Sequence, residues 1–144
     1  MSRTLIAWDI ENINFLNYTE IKECLGDIDM TDKFFTHNDT HIPLKVSDSN
    51  FLINRGWSRY LVKAGKDSAD HNISDVIKSN IDKYKRFIII TGDNGFSEIV
   101  SFLLEQNKEV VVVHNDRSDK LINKIHLKTT KDQRDKLLTL HCIN

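Results

Sequence analysis

Chain-breaking residues are scarce. In 144 residues there is one proline and there are five glycines, which excludes a collagen-like or linker-rich chain and leaves regular elements to dominate. Cysteine is nearly absent as well. Cys24 and Cys142 lie far apart, so they form no metal-binding pattern and no disulfide framework, and a reducing compartment is the expectation. No apolar run approaches the length needed to span a bilayer, and the N-terminus does not read as a signal peptide. A soluble, cytoplasmic protein is therefore expected. Net charge is also small, at −1. That excludes a bulk polycation, so any contact with nucleic acid must come from a local patch.

What is present suits a globular domain. The chain is 40% hydrophobic, enough for an ordinary core, and its length fits one domain over 1–144, with 126–144 as a C-terminal extension. Charge is unevenly spread. Residues 1–32 hold two basic against seven acidic side chains, whereas 117–136 hold seven basic against three acidic. An acidic site beside a basic arm suits a metal enzyme acting on a polyanion, although a basic arm alone is as often a solvated surface.

Strand-like and helix-like segments alternate. The apolar run Thr4 to Asp9 predicts a first strand buried on both faces. A helix from Thr19 to Leu25, stopped by Gly26, comes next, then a short strand over Lys33 to Thr36. Segment 37–46 yields no pattern. A helix from Ser49 to Asn54, capped by Ser47 or Asp48 and stopped by Gly56, precedes a strand from Arg59 to Lys63. Ile73, Val76, Ile77, Ile81 and Tyr84 recur at helical spacing and predict a helix over Ala69 to Tyr84. Phe87 to Thr91 reads as a central strand, Gly95 to Gln106 as a helix, and Glu109 to His114 as a fifth strand. A short basic helix over Ser118 to Lys124 follows, and the last twenty residues add a strand and a helix. The pattern implies a three-layer α/β/α sandwich around a mainly parallel, five-stranded sheet. In such sheets chemistry sits at the carboxyl ends of the strands, where strand order reverses.

Three aspartates fall at that edge. Asp9 ends the first strand, Asp93 follows the fourth, and Asp70 begins the helix after the third. At about 100° per residue, Asp70 lies about 50° from the middle of the inner helix face, whereas Asp75 points outward. Carboxylates forced together resist ionising, and a hard cation such as Mg²⁺ or Mn²⁺ relieves that cost. Such a site can activate water against a phosphodiester. Each aspartate alone is more often a helix cap or a loop acid; three at one edge favour a site. Other candidates weigh less. His37 and His41 lack further ligands and read as a polar loop. His71 reads as a surface residue of its helix. The Gly92 to Gly95 turn lacks a phosphate-loop or dinucleotide fingerprint, and no Ser/His/Asp order is visible.

These residues resemble a known family. Trp8-Asp9-Ile10-Glu11-Asn12 is similar to the hydrophobic-D-x-x-N opening of NYN domains, in the PIN-like nuclease superfamily. Lys66 to Asp70, leading into an apolar helix, resembles that family's K-x-x-x-D helix start. The segment Ile90 to Val100 resembles its SGDSDF segment. Together these motifs organise residues 3 to 114. The resemblance implies a metal-dependent endoribonuclease with Asp9, Asp70 and Asp93 as catalytic metal ligands for Mg²⁺ or Mn²⁺. It further implies that Asn12 braces the Asp9 loop or meets substrate and that Thr91 and Asn94 line the site; in such a mechanism Lys66, with the 117–136 arm, is expected to hold the RNA backbone. The chain departs from the pattern at Gly95, where the family carries a second Asp, so a fourth acid is missing.

The rival reading is a catalytically weak or inactive module on the same fold, binding RNA or a protein partner. A DNA-directed flap nuclease lacks its helical arch here, and a receiver-like or phosphatase-like domain lacks a lysine near the fifth strand. The implied partner is RNA, with no membrane, and a homodimer is left open.

Overall fold

A computed structural model describes residues 3–38, 44–62 and 68–141. Six strands build one sheet: β1 (Thr4–Asp9), β2 (Asp32–Asn38), β3 (Trp57–Val62), β4 (Arg86–Ile90), β5 (Glu109–His114) and β6 (Leu137–His141). Their order is β3-β2-β1-β4-β5-β6, and every neighbouring pair is parallel. The helices are α1 (Tyr18–Leu25), α2 (Val46–Ile53), α3 (Ser68–Ser79), α4 (Ser97–Glu105), α5 (Asp119–Lys128) and α6 (Lys131–Arg134).

The inner strands are apolar on both faces because each face carries its own core. Leu5, Ala7, Phe87, Ile89, Val110 and Val112 point to one side, where they meet Ile73 and Ile77 of α3, Ile99 and Leu103 of α4, and Leu121 and Ile125 of α5. The alternate residues Ile6, Trp8, Ile88, Ile90, Val111 and Val113 point to the other side, against Ile21 of α1 and Leu52 of α2. The period-2 alternation of the strands thus separates two hydrophobic layers, giving the expected α/β/α sandwich.

Several details differ from the sequence expectation. The sheet has six strands, not five, because β6 pairs along β5 from Val110↔Leu137 to His114↔His141. Strand β2 runs on to Asn38, so His37 is a buried strand residue, not part of a polar loop; its Nε2 accepts from Arg59 Nε at 2.9 Å. His41 lies outside the described residues, as does Lys63. Helix α2 begins at Val46 after Lys45, and no side chain caps it. Helix α3 stops at Ser79, where a turn of 3-10 helix from Ile81 to Lys83 takes over. Cys24 is disulfide-bonded, contrary to the expectation of two unlinked thiols. Among the described residues no helix is long and apolar enough to cross a membrane.

Chain direction of successive connections reverses between β1 and β4, the two central strands. Their carboxyl ends therefore open the crevice that this class of sheet uses for chemistry.

Candidate active site

Two turns leave the sheet side by side at this crevice. After β1 the chain folds back, with the N–H groups of Asn12 and Ile13 donating to Asp9 O at 3.2 and 3.1 Å. The Trp8 indole N–H, itself buried, pins this turn by donating to Ile13 O at 2.6 Å. After β4 the turn is held by Asp93, whose Oδ1 accepts from Gly95 N at 3.2 Å and caps the 3-10 turn from Asn94 to Phe96. Thr91 stitches the two turns together. Its hydroxyl donates to Asp9 Oδ2 at 3.1 Å and accepts from Asp93 N at 3.2 Å. Asn12 adds a second stitch, its Oδ1 accepting from Gly92 N at 2.7 Å.

Asp70 arrives from the first turn of α3, and it is buried to 6% exposure. Its Oδ2 stands where a Cβ on Gly95 would sit, and Asp93 Oδ1 is 3.8 Å from that same point. One cavity of about 250 Å³ is lined by Asp9, Asp70 and Asp93, with Glu11, Asn12 and Asn38. The three aspartates read from the sequence therefore face a single space. Asp75 and His71 are exposed on α3.

The other sequence-derived residues are distributed as follows. Asn12 and Thr91 lie in the stitches just described. Asn94 receives a hydrogen bond from Lys124 Nζ at 3.0 Å, which links the site to the basic helix α5. Lys66 lies outside the described residues. Among the lining residues that the sequence reading did not single out are Glu11 and Asn38. Glu11 accepts from Asn38 N at 3.0 Å through Oε1, joining the β1 turn to the end of β2. Strand-end placement was the available signal for Asn38, and it was lost in the segment that yielded no pattern.

Electrostatics mark Asp9. Burial in the crevice raises its carboxyl from an ordinary value of 3.8 to about 7, and the neighbouring charges of Asp93 and Glu11 push the same way; hydrogen bonds from Thr91 and the Asn12 backbone offset part of the rise. A carboxyl that titrates near neutrality in a cleft of like charges is a recurrent signature of functional sites. Among the described residues, no three His, Cys, Asp or Glu side chains stand together as a ready-made ion cage. The side-chain donors around the cavity are nevertheless all oxygen or amide groups, the carboxylates of Asp9, Glu11, Asp70 and Asp93, the amides of Asn12 and Asn38 and the hydroxyl of Ser68, a set that suits Mg²⁺ or Mn²⁺ and not a soft ion. Burial first, and repulsion from Asp93 and Glu11 second, make charging Asp9 costly, a cost that a bound cation would offset.

Fold and crevice define an α/β domain of the PIN-like nuclease superfamily. The chain belongs to the NYN domain family, whose sequence model matches residues 3–131. Members of that family are usually nucleases, and such nucleases generally use divalent metals. Among solved structures, the chain is similar to a protein of unknown function from Vibrio parahaemolyticus, at a TM-score of 0.69 and 16% identity, covering 97% of this chain and 91% of the other. That likeness concerns the fold alone. No curated protein matches the chain. The homodimer left open by the sequence finds no support in the structure or in these likenesses.

Proposed function

We propose that the chain is a divalent-metal-dependent endoribonuclease that hydrolyses RNA phosphodiester bonds at the crevice between β1 and β4. The observation that carries this reading is the convergence of Asp9, Asp70 and Asp93, from three remote segments, on one cavity at the switch point of the sheet. Asp9, Asp70 and Asp93 would hold Mg²⁺ or Mn²⁺. A cation bound there supplies positive charge against the phosphodiester and lowers the cost of deprotonating water.

The remaining roles belong to the protein's own groups. Thr91, fully buried, serves by orienting Asp9 and by fixing the backbone of Asp93. Asn12 locks the two turns in register through Gly92. Asn94 and Lys124 present an amide and an ammonium group beside Asp93, suited to a substrate phosphate. Lys66 and the basic residues of 117–136 would hold the RNA backbone, a contact that carries little base preference.

The test is incubation of labelled single-stranded and structured RNA and DNA with Mn²⁺, Mg²⁺ or EDTA, using wild-type protein and Asp93→Asn in parallel. Cation-dependent cleavage of RNA that disappears in Asp93→Asn, with the fold intact by circular dichroism, is the expected outcome. Undiminished cleavage by pure Asp93→Asn would refute the mechanism. RNA binding without cleavage, insensitive to EDTA, would favour the binding module instead.

A further inference from the structure

The turn after β4 carries two glycines, and other side chains crowd into the space beside each. A Cβ on Gly92 would come within 2.5 Å of Ser118 Oγ, 2.8 Å of Asn115 Oδ1 and 3.3 Å of Asn12 Oδ1. At Gly95 the obstacle is a single group: a Cβ there would overlap Asp70 Oδ2 outright. Backbone conformation does not ask for glycine at 95. The glycines with positive φ are Gly26 and Gly56, and Gly95 lies within the ordinary 3-10 turn from Asn94 to Phe96. The neighbour asks for it. Asp70 has a short side chain rooted in the first turn of α3 and buried against the sheet, so it can yield only by swinging its carboxyl group away.

We infer that Gly95 is a positioning residue: the absent side chain at 95 is the space in which the Asp70 carboxylate stands beside Asp93. As Asp70 is placed in this chain, its carboxylate and a side chain at position 95 would claim the same space. Even a methyl group at 95 turns Asp70 away and separates it from Asp93. The space left by the missing acid at 95 is thus occupied by Asp70, although the site still holds one aspartate fewer than the family pattern. The geometric part of this inference is independent of the proposed activity; its functional consequence rests on that reading.

A double-mutant cycle tests it with Gly95→Ala, Asp70→Ala and the two combined. Thermal unfolding in EDTA reads the geometry alone. Gly95→Ala is expected to lower Tm by a few degrees when Asp70 is present. It is expected to leave Tm unchanged or raise it when Asp70 is alanine, because alanine in an ordinary helical turn restricts the unfolded chain. Should Gly95→Ala alone fail to fold, the combined variant folds. Titration calorimetry with Mn²⁺ reads the consequence: affinity falls on the order of tenfold in Gly95→Ala, matches Asp70→Ala, and falls no further in the combination. Equal Tm changes in both backgrounds, failure of both Gly95 variants to fold, or a folded Gly95→Ala protein that binds Mn²⁺ as wild type does would each overturn the inference. If wild type neither binds Mn²⁺ nor cleaves RNA, the nuclease reading falls, and the Tm cycle still decides whether Gly95 places Asp70.

Discussion

Replacing Asp9 by Asn should make the protein more stable and its proposed activity vanish. Asp9 is buried at the end of β1, and its carboxyl is raised from 3.8 to about 7 by burial and by Asp93 and Glu11. In the unfolded chain it ionises at the ordinary value. A raised carboxyl favours folding fully below pH 4 and progressively less as pH climbs through 7, above which the whole penalty of the buried charge is felt. At 1.36 kcal/mol per unit, the shift corresponds to about 4 kcal/mol as an upper limit. Asparagine keeps the shape and can still accept the Thr91 hydroxyl hydrogen, but carries no charge to desolvate. The assay is thermal unfolding of both proteins in EDTA from pH 4 to pH 8. Every other titrating group is common to the pair, so the difference in Tm isolates Asp9. It should be near zero at pH 4 and reach about 10 °C at pH 8 for a chain of this size. Saturating Mn²⁺ should close part of the gap at pH 8, because a cation that binds the wild-type carboxylates stabilises only that protein. A gap that is absent at pH 8, or that does not change with pH, would refute the claim that Asp9 is held at an unfavourable charge.

Two other perturbations probe the stitches and the basic helix. Asn12→Ala removes the acceptor for Gly92 N–H and should cost about 1 kcal/mol in chemical denaturation, with a larger loss in cleavage than in stability because the two turns lose their register. Lys124→Gln, on the exposed side of α5, should raise KM for RNA with kcat nearly unchanged, and should flatten the slope of log binding constant against log salt by about 0.7 for a single-stranded substrate.

The legible parts of the fold were those whose burial is uniform. Strands β1 and β5 have the bounds that their apolar runs indicate, Thr4–Asp9 and Glu109–His114, because strands apolar on both faces leave an unbroken signal. Strand β6 was blurred because it lies at the sheet edge, where Leu138 and Thr139 are exposed and the pattern breaks. Strand β2 was cut short because its last residues, His37 and Asn38, are polar yet buried near the crevice. Polarity in sequence reads as a loop, and what makes these residues strand is their pairing with β3, His37↔Leu61 and Asn38↔Val62. The overlong reading of α3 came from Ile81 and Tyr84, which keep the apolar spacing although the chain has passed into a 3-10 turn. At the site, helical phase was enough to turn Asp70 inward and Asp75 outward. It could not show that Gly95 and Asp70 share one space, since that depends on two segments whose approach is set by packing.

Adjacency of β1 and β4 also sets a timetable. Thr91 and Asp9 are 82 residues apart in the chain yet share a hydrogen bond, and β2 and β3 are already placed on the far side of β1. During synthesis the crevice cannot close until β4 and its turn have left the ribosome. A nascent chain that has produced Asp9 alone, or Asp9 and Asp70, therefore holds no assembled crevice.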